Sequence, residues 1–484
     1  MPEHPNVQNT QAVDDNRKLR IFQINLNKSE RAHLEVINDR VSQNYNIMLI
    51  QEPHTTTFNA IRTPSNFRPV FPAHRIANQD QIRSVIWVNN ELNTNRWTAL
   101  DIPDTNDITA IQLRGPRGAI SIFNIYNDCT HSRNETTLRN YIQEHSRQIL
   151  ATENHHMIWA GDFNRHHPLW DNDEDVHLFT QQANRFAQGL IDMVATYDMN
   201  MALPKGTPTL QHMVTKRYSR PDNFFNTTSL TEHITKCEVD PTLRPSSTDH
   251  FPILTDILIP QKRTATPTTY NFREADWDNF RKELRIKMNR LPNPPAIDNS
   301  EQLTEAADQL TKAIQETIGE NIRKTKPRPD AKRWWSGDLK KMKRELNRLR
   351  ANSYRFRASA DHPSHDELRT KNNQYGEAII QAKRQHWKNY LEEMTAADIW
   401  TANKFIKEPA GDGGCPRIPA LKIRNTEGIV QKINENKDKA DTFARTFFPP
   451  PPPPQAQDQA PNIYPEPLPD PPQISKEQIG RAHV

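Results

Sequence analysis

Cysteine is scarce in this 484-residue chain: Cys129, Cys237 and Cys415 lie far apart, are odd in number and form no CxxC pair. That excludes a disulfide framework or a zinc knuckle and points to a reducing compartment. No window approaches the roughly 20 apolar residues that span a bilayer, and the opening stretch MPEHPNVQNTQAVDDNRK has no apolar run. Neither a membrane span nor a signal peptide is therefore expected. Glycine is also low, at 13 against 38 prolines, and hydrophobic residues make up only 35%. With a mean hydropathy of -0.88, part of the chain is expected to be extended rather than packed.

The length exceeds what one hydrophobic core usually organises, so more than one domain is expected. Charge is divided unevenly. Residues 1–260 hold 24 Lys+Arg against 29 Asp+Glu, whereas residues 261–484 hold 39 against 30. A mildly acidic front suits a site that gathers carboxylates around a cation, and a basic rear suits a polyanion such as nucleic acid.

From Leu19 the run LRIFQINLN reads as a strand, Ser29 as the N-cap of a helix over ERAHLEVINDRVSQ, and IMLI as a second strand ending before Gln51. Further β-rich runs are SVIWV (84–88), ITAIQL (108–113), AISIFNIY (119–126), HMIWA (156–160) and FPILTDILI (251–259). Helical periodicity fills 135–150 and 179–199. These elements predict a layered α/β domain over 19–260, preceded by a disordered stretch at 1–18.

The polar residues of interest share one placement: Asn25, Glu52, Tyr126, Asp162 and Asp249 each stand at or beside a strand end. Strand ends are where α/β folds build sites, because the sheet is rigid and the loops beyond it vary freely. Breaking a phosphodiester needs an activated water, neutralisation of the phosphoryl oxygens and stabilisation of the leaving oxygen. Mg²⁺ requires few protein ligands; Glu52 is the first candidate, with Asn25 as a carbonyl partner. Asp162 and Asn164, two apart after a strand, can face one way, the first to deprotonate water and the second to hold a phosphate oxygen. Asp249 offers a cation-friendly carboxylate, and Asp222 can hold the His250 imidazole in its charged form. His166 and His167, with His155 and His156 nearby, suggest zinc only weakly, because adjacent histidines do not easily face one metal.

In order, Asn25, Gln51-Glu52, Tyr126 within FNIYND, GDFN at 161–164, RPD at 220–222 and TDH at 248–250 resemble the exonuclease/endonuclease/phosphatase superfamily. The extension GDFNRHHPLWD (161–171), with QEP at 51–53 and GTPT at 206–209, is similar to the apurinic-type endonuclease domain of non-LTR (LINE-like) retrotransposons. The resemblance implies a DNase I-like four-layered α/β sandwich, a DNA substrate, Mg²⁺ or Mn²⁺ and a 3′-hydroxyl product. It places Asn25 and Glu52 at the metal, Tyr126 on a phosphate, Asp162 and Asn164 at the nucleophile, and Asp222 behind His250, which faces the scissile phosphate with Asp249 beside it. Pro221 and Asn223 flank Asp222 where the pattern usually has apolar residues, and Asn27 stands where some relatives carry an acid.

Beyond Pro260 a Pro/Thr-rich join leads to helical patterns at 277–288, 302–318 and 368–394. Residues 323–357 carry 14 Lys+Arg against 3 Asp+Glu, interleaved with Trp334, Trp335, Tyr354 and Phe356. Charge with aromatics is the mix that binds phosphates and stacks bases, and Arg328, Lys332, Arg333, Trp334, Lys340, Lys341, Lys343 and Arg344 are the candidates. YNFREADW, KRWWSGDL and AKRQHW resemble the connector that precedes a reverse transcriptase in such elements. The reading is thus a helical basic connector over 261–448 and a Pro-rich disordered tail over 449–484, the latter ending at the truncated start of a following domain. No YxDD or similar aspartate pair follows residue 260, so no polymerase active site is expected here. The implied partners are target DNA and, through the connector, element RNA, with no small-molecule cofactor, and the implied location is the nucleus. The rival readings are a host DNA-repair or lipid/inositol phosphodiesterase of the same fold, and a catalytically inactive nucleic-acid-binding remnant.

Overall fold

A computed structural model describes residues 18–39, 44–57, 59–73, 81–115, 118–151, 154–259, 269–272, 275–291, 299–325, 334–395, 399–400, 402–403, 412, 414, 421–424, 430–433 and 436–448. The N-terminal stretch 1–17, the Pro-rich tail 449–484 and the candidates Arg328, Lys332 and Arg333 lie outside the described residues, as does Cys415. Two compact units are present, Met1–Arg417 and Ile418–Val484. The second contains a two-stranded antiparallel pair, Leu421–Arg424 with Val430–Ile433, and a helix, Asn436–Phe447.

The front of the first unit runs β1 (Lys18–Asn25), α1 (Glu30–Asn38), β2 (Ile47–Gln51), β3 (Phe67–Val70), β4 (Ser84–Asn89), β5 (Trp97–Leu100), β6 (Ile108–Gly115) and β7 (Gly118–Tyr126). It continues with α2 (Arg133–Glu144), α3 (Ser146–Ile149), β8 (His155–Asp162), α4 (Gln181–Thr196), β9 (Met199–Met201), β10 (Leu210–Gln211) and β11 (Tyr218–Ser219). The last strands are β12 (Asp222–Thr227), β13 (Ile234–Val239) and β14 (Ile253–Leu258). Two six-stranded sheets form, in the orders β13-β14-β1-β2-β4-β3 and β5-β6-β7-β8-β12-β9.

Three cores stack through this domain and make it four layers deep. The central one joins the inner faces of the two sheets through Leu19, Ile21, Leu49 and Ile86 on one side and Ile111, Ile122, Ile158 and Phe224 on the other. The outer face of the first sheet packs Phe22, Met48 and Trp87 against Ala32 and Val36 of α1. The outer face of the second packs Phe123 and Trp159 against Leu138 and Ile142 of α2 and Ala187 and Leu190 of α4. Being covered on both faces, β2 and β4 are buried at every position, which is why they read as unbroken apolar runs rather than alternating ones. Ser29 caps α1 by accepting the Ala32 N–H, as its sequence predicts, and Thr180 caps α4 by accepting that of Ala183.

Two parallel pairs set the position of everything that follows. β1 pairs with β2 so that Asn25 lies beside Gln51, and β7 pairs with β8 so that Tyr126 lies beside Asp162. Parallel neighbours need a crossover, supplied by α1 in the first pair and by α2 and α3 in the second. Both pairs therefore end at one edge of the sandwich. Gln23 Nε2 donates to the Gly161 carbonyl across the sheets at 3.0 Å, and Asn124 Nδ2 donates to the Ile50 and Val85 carbonyls at 3.0 and 2.9 Å. These buried polar ties hold the two strand ends in a common register.

Behind the sandwich come α5 (Trp277–Arg290), α6 (Ser300–Asn321), α7 (Gly337–Arg355) and α8 (Ser364–Glu392). The first two are bridged by Lys287, 2.9 Å from Glu320. The last two form a hairpin around Leu339, Leu346, Leu368 and Tyr375.

Candidate active site

Gly161 opens the site. It sits at φ +150°, and a Cβ there would collide with the Ile125 carbonyl of the neighbouring strand. Glycine thus lets β7 and β8 close up just before Asp162, the last residue of β8.

Asp162, Asp222 and His250 converge, each buried, with one ligand-capable atom apiece within 4.8 Å of the others. Asp222 is the first residue of β12 and lies directly opposite Asp162 in the antiparallel register. Its Oδ2 accepts from the His250 ring at Nδ1, 2.8 Å away, and from the Thr209 hydroxyl at 2.7 Å. With Nδ1 so occupied, Nε2 is left toward the two other acids, 4.0 Å from Asp162 Oδ2 and 3.8 Å from Asp249 Oδ1. Burial works against an imidazolium here, but the carboxylates of Asp222, Asp162 and Asp249 overcome it and push the His250 pKa up to about 10. Burial, reinforced by Asp222, raises Asp162 to about 7.

Asp162 is oriented by three neighbours. Asn25 Nδ2 donates to its Oδ2 at 2.8 Å, the Asn164 N–H donates to its Oδ1 at 3.1 Å, and its carbonyl accepts the Asn127 N–H at 2.8 Å. Asn164 occupies the left-handed region at φ 48° while its Nδ2 donates to the Asn127 carbonyl at 2.8 Å. The carbonyl of the Asn25 side chain accepts the Asn27 N–H at 2.7 Å, and Asn27 Nδ2 reaches Asp249 Oδ1 at 3.3 Å.

Glu52 follows β2 at φ 42°, a left-handed conformation costly for a residue with a side chain and found mostly where function demands it. Its carboxylate meets Lys28 Nζ at 3.3 Å, and its charge acts on the nearby Tyr126 hydroxyl. Burial, together with the charges of Glu52 and Asp162, drives the tyrosine's pKa upward, so the hydroxyl keeps its proton and can donate. Arg83 lies over the Tyr126 ring, 4.8 Å from its centroid, and is clamped by both oxygens of Asp107 at 2.7 Å and by Asp128 at 2.8 Å.

Asn25, Glu52, Tyr126, Asp162, Asn164, Asp222, Asp249 and His250 are thus brought to one edge. Sequence reasoning missed the roles of Thr209, Asn127 and the Arg83 clamp; the signals were GTPT, whose last residue is Thr209, and FNIYND, which contains Asn127 and Asp128. His166 and Trp170 belong to the surrounding fold: His166 Nδ1 lies 3.3 Å from Asp171, and buried Trp170 donates to the Arg165 carbonyl at 2.8 Å. On the basic helix, Lys340, Lys341 and Arg344 are exposed. Lys343 is drawn to Asp39 at 3.0 Å, and half-buried Trp334 packs into the α7–α8 core under Lys383.

Residues 120–254 match the family model described as endonuclease-reverse transcriptase. A stretch of 206 residues is 26% identical to the putative 115 kDa protein in type-1 retrotransposable element R1DM of Drosophila melanogaster, covering 42% of this chain and 19% of that protein's length. Among solved structures, the endonuclease domain of TRAS1, a telomere-specific non-LTR retrotransposon, aligns at 20% identity and a TM-score of 0.38, over 50% of this chain and 100% of that one. The AP endonuclease LMAP from Leishmania major aligns at 12% identity and a TM-score of 0.41, over 54% and 93%.

Proposed function

Residues 120–254 are related to the endonuclease-reverse transcriptase family, and from that relation we propose that the domain over 19–260 is a divalent-cation-dependent DNA endonuclease. It hydrolyses a phosphodiester to leave a 3′-hydroxyl, as the target-nicking part of a non-LTR retrotransposon protein acting on chromosomal DNA in the nucleus. The observation that carries this reading is the buried Asp222–His250–Asp162 constellation beside Glu52 and Tyr126.

Hard cations take oxygen ligands, and the donors here are of that kind. Glu52 already gathers positive charge, in the form of the Lys28 ammonium. Glu52 and Asn25, with Asp249 alongside, would hold Mg²⁺ or Mn²⁺. Bound there, the ion supplies positive charge to the phosphoryl oxygens.

The protein's own groups divide the remaining work. Asp162, with an affinity for protons centred near neutrality, accepts the proton of the attacking water, and Asn164 and Asn25 fix its direction. His250, charged and held from behind by Asp222, presents Nε2–H to a phosphate oxygen. Tyr126 donates a second hydrogen bond. The exposed cations of α7 attract further phosphates of DNA, or of element RNA.

Incubating a labelled duplex with the full chain and Mg²⁺ tests this reading. Products that a DNA polymerase extends directly, and that EDTA abolishes, are expected. Ends that need phosphatase treatment before extension, or binding with no cleavage in any divalent cation, would contradict it; the second outcome would favour a binding remnant.

A further inference from the structure

Helix α7 touches the loop that carries Asp249 and His250 at two points one helical turn apart. Arg350 is buried and donates from Nη2 to Glu35 Oε1 at 2.9 Å and to the Ser246 hydroxyl at 3.3 Å. Its Nη1 reaches the Thr242 carbonyl at 3.4 Å. Glu35, on α1, uses its other oxygen to accept the Ser246 N–H at 2.7 Å, and Ser246 in turn donates to Asn372 of α8 at 3.1 Å. Burial opposes the Glu35 charge, but Arg350, the Ser246 N–H and Lys343 overcome it and hold the carboxyl below the usual range.

Four residues further along the same helix face, Tyr354 packs edge-on against Phe251, with ring centroids 5.2 Å apart, and against Tyr218 at 6.2 Å. The segment 246–251 is therefore gripped at both ends. Between the grips Ser247 adopts φ 67°, a left-handed conformation that a non-glycine residue keeps only where its surroundings enforce it. Thr248 then donates to the Asn25 carbonyl at 2.8 Å, and its own carbonyl accepts from Arg244 at 3.0 Å. Asp249 and His250 come next.

The hairpin thus buries an arginine against the loop carrying His250. We propose that the α7–α8 hairpin belongs to the catalytic apparatus, with Arg350 and Tyr354 as positioning residues that set Asp249 and His250 by pinning Ser246 and Phe251. Neither residue touches substrate. The inference rests on the nuclease reading above, and its test is built to separate the two.

Full-length wild type, Arg350→Gln, Arg350→Lys and Tyr354→Leu are compared by plasmid nicking and by hydrogen exchange of residues 244–251. Misplacing a catalytic group by about an ångström can cost on the order of a hundredfold, so kcat of Arg350→Gln is expected to fall about tenfold to a hundredfold. KM should stay within about twofold of wild type, Arg350→Lys should recover part of the loss, and exchange should accelerate in 244–251. If Arg350→Gln does not fold, Tyr354→Leu carries the test, with a smaller fall in kcat and the same local acceleration. Unchanged kcat in folded Arg350→Gln and Tyr354→Leu overturns the proposal. So does a rise in KM alone, which would make the hairpin a substrate-binding element. If wild type itself does not nick, the nuclease reading fails; acceleration confined to 244–251 then still supports the pinning, and unchanged exchange removes it.

Discussion

Charge is handled in opposite ways in the sandwich and in the helices behind it. Within the sandwich, the charged groups nearest the site are buried or half-buried and matched: Arg165, 1% exposed, meets Glu135 at 2.8 Å, Arg83 is clamped by Asp107 and Asp128, and His250 is backed by Asp222. In the helices most pairs lie in solvent, such as Lys341 with Asp338, whose side chains are 76% and 87% exposed. Lys343 and Arg350 are exceptions, and both reach back to acids of the sandwich, Asp39 and Glu35. A buried charge that loses its partner is stranded at high cost, whereas an exposed one is simply rehydrated. The same run of basic residues is therefore divided in two: its exposed members present their charge to solvent, and its buried members fasten the helix to the domain.

The sharpest way to break this comparison is at the centre of the sandwich. Asp162→Asn keeps the shape and the Asn25 neighbour but removes the carboxylate proposed as the proton acceptor. Single-turnover cleavage should slow by about 10²- to 10⁴-fold, with DNA affinity nearly intact. Next in size, Arg165→Met strands Glu135 and should lower the unfolding free energy by about 3–5 kcal/mol in a denaturant titration. Lys341→Met, made in parallel, should leave the midpoint where it was; equal losses from the two would erase the contrast.

A smaller effect comes from His33. Its Nε2 meets the Arg62 carbonyl at 2.7 Å while Nδ1 accepts the His54 N–H at 3.1 Å, an arrangement only the neutral ring can make. Burial pushes its pKa down to about 4. The folded state thus binds fewer protons than the unfolded one between these values. Its contribution to stability is fully present above the unfolded value near 6.5 and is lost as pH falls toward 4, by up to about 3 kcal/mol. His33→Gln, which can still donate and accept, should flatten that part of the stability profile; a profile as steep as wild type would assign the acid sensitivity to other groups. The least effect is expected on α7: replacing Lys340, Lys341 and Arg344 with Gln should weaken DNA binding several-fold and make its salt dependence shallower, by about 0.9 in log–log slope for each phosphate no longer neutralised.

Much of the sandwich was legible because its central strands are covered on both faces and so appear as apolar runs. β12 was not. Its sequence DNFFNT has four polar residues in six, yet every one is buried. Asn223 is held by Arg220 at 3.1 Å, and Asn226 by Thr231 at 2.9 Å; a strand that buries polar side chains has no hydrophobic signature to read. This also explains why Pro221 does not disqualify Asp222. Pro221 precedes the strand and contributes only its carbonyl, to the Phe163 N–H at 3.0 Å, so the missing donor is not needed. Asn25, Glu52, Tyr126, Asp162 and Asp249 were visible at strand ends and Asp222 and His250 through the motif order, whereas Thr209 and the Arg83 clamp act through geometry that spacing does not encode. The docking of α7 was hidden for a related reason, since Arg350 and Lys343 look in sequence like any other members of a basic run.

The most direct measurement is relaxation of supercoiled plasmid by the full chain in Mg²⁺, run beside Asp162→Ala and His250→Ala. Wild type should convert the plasmid to open circles, EDTA should stop it, and both variants should lose the activity while remaining folded. Nicking that survives both substitutions, or none from wild type in Mg²⁺ or Mn²⁺, would contradict the assignment of this site.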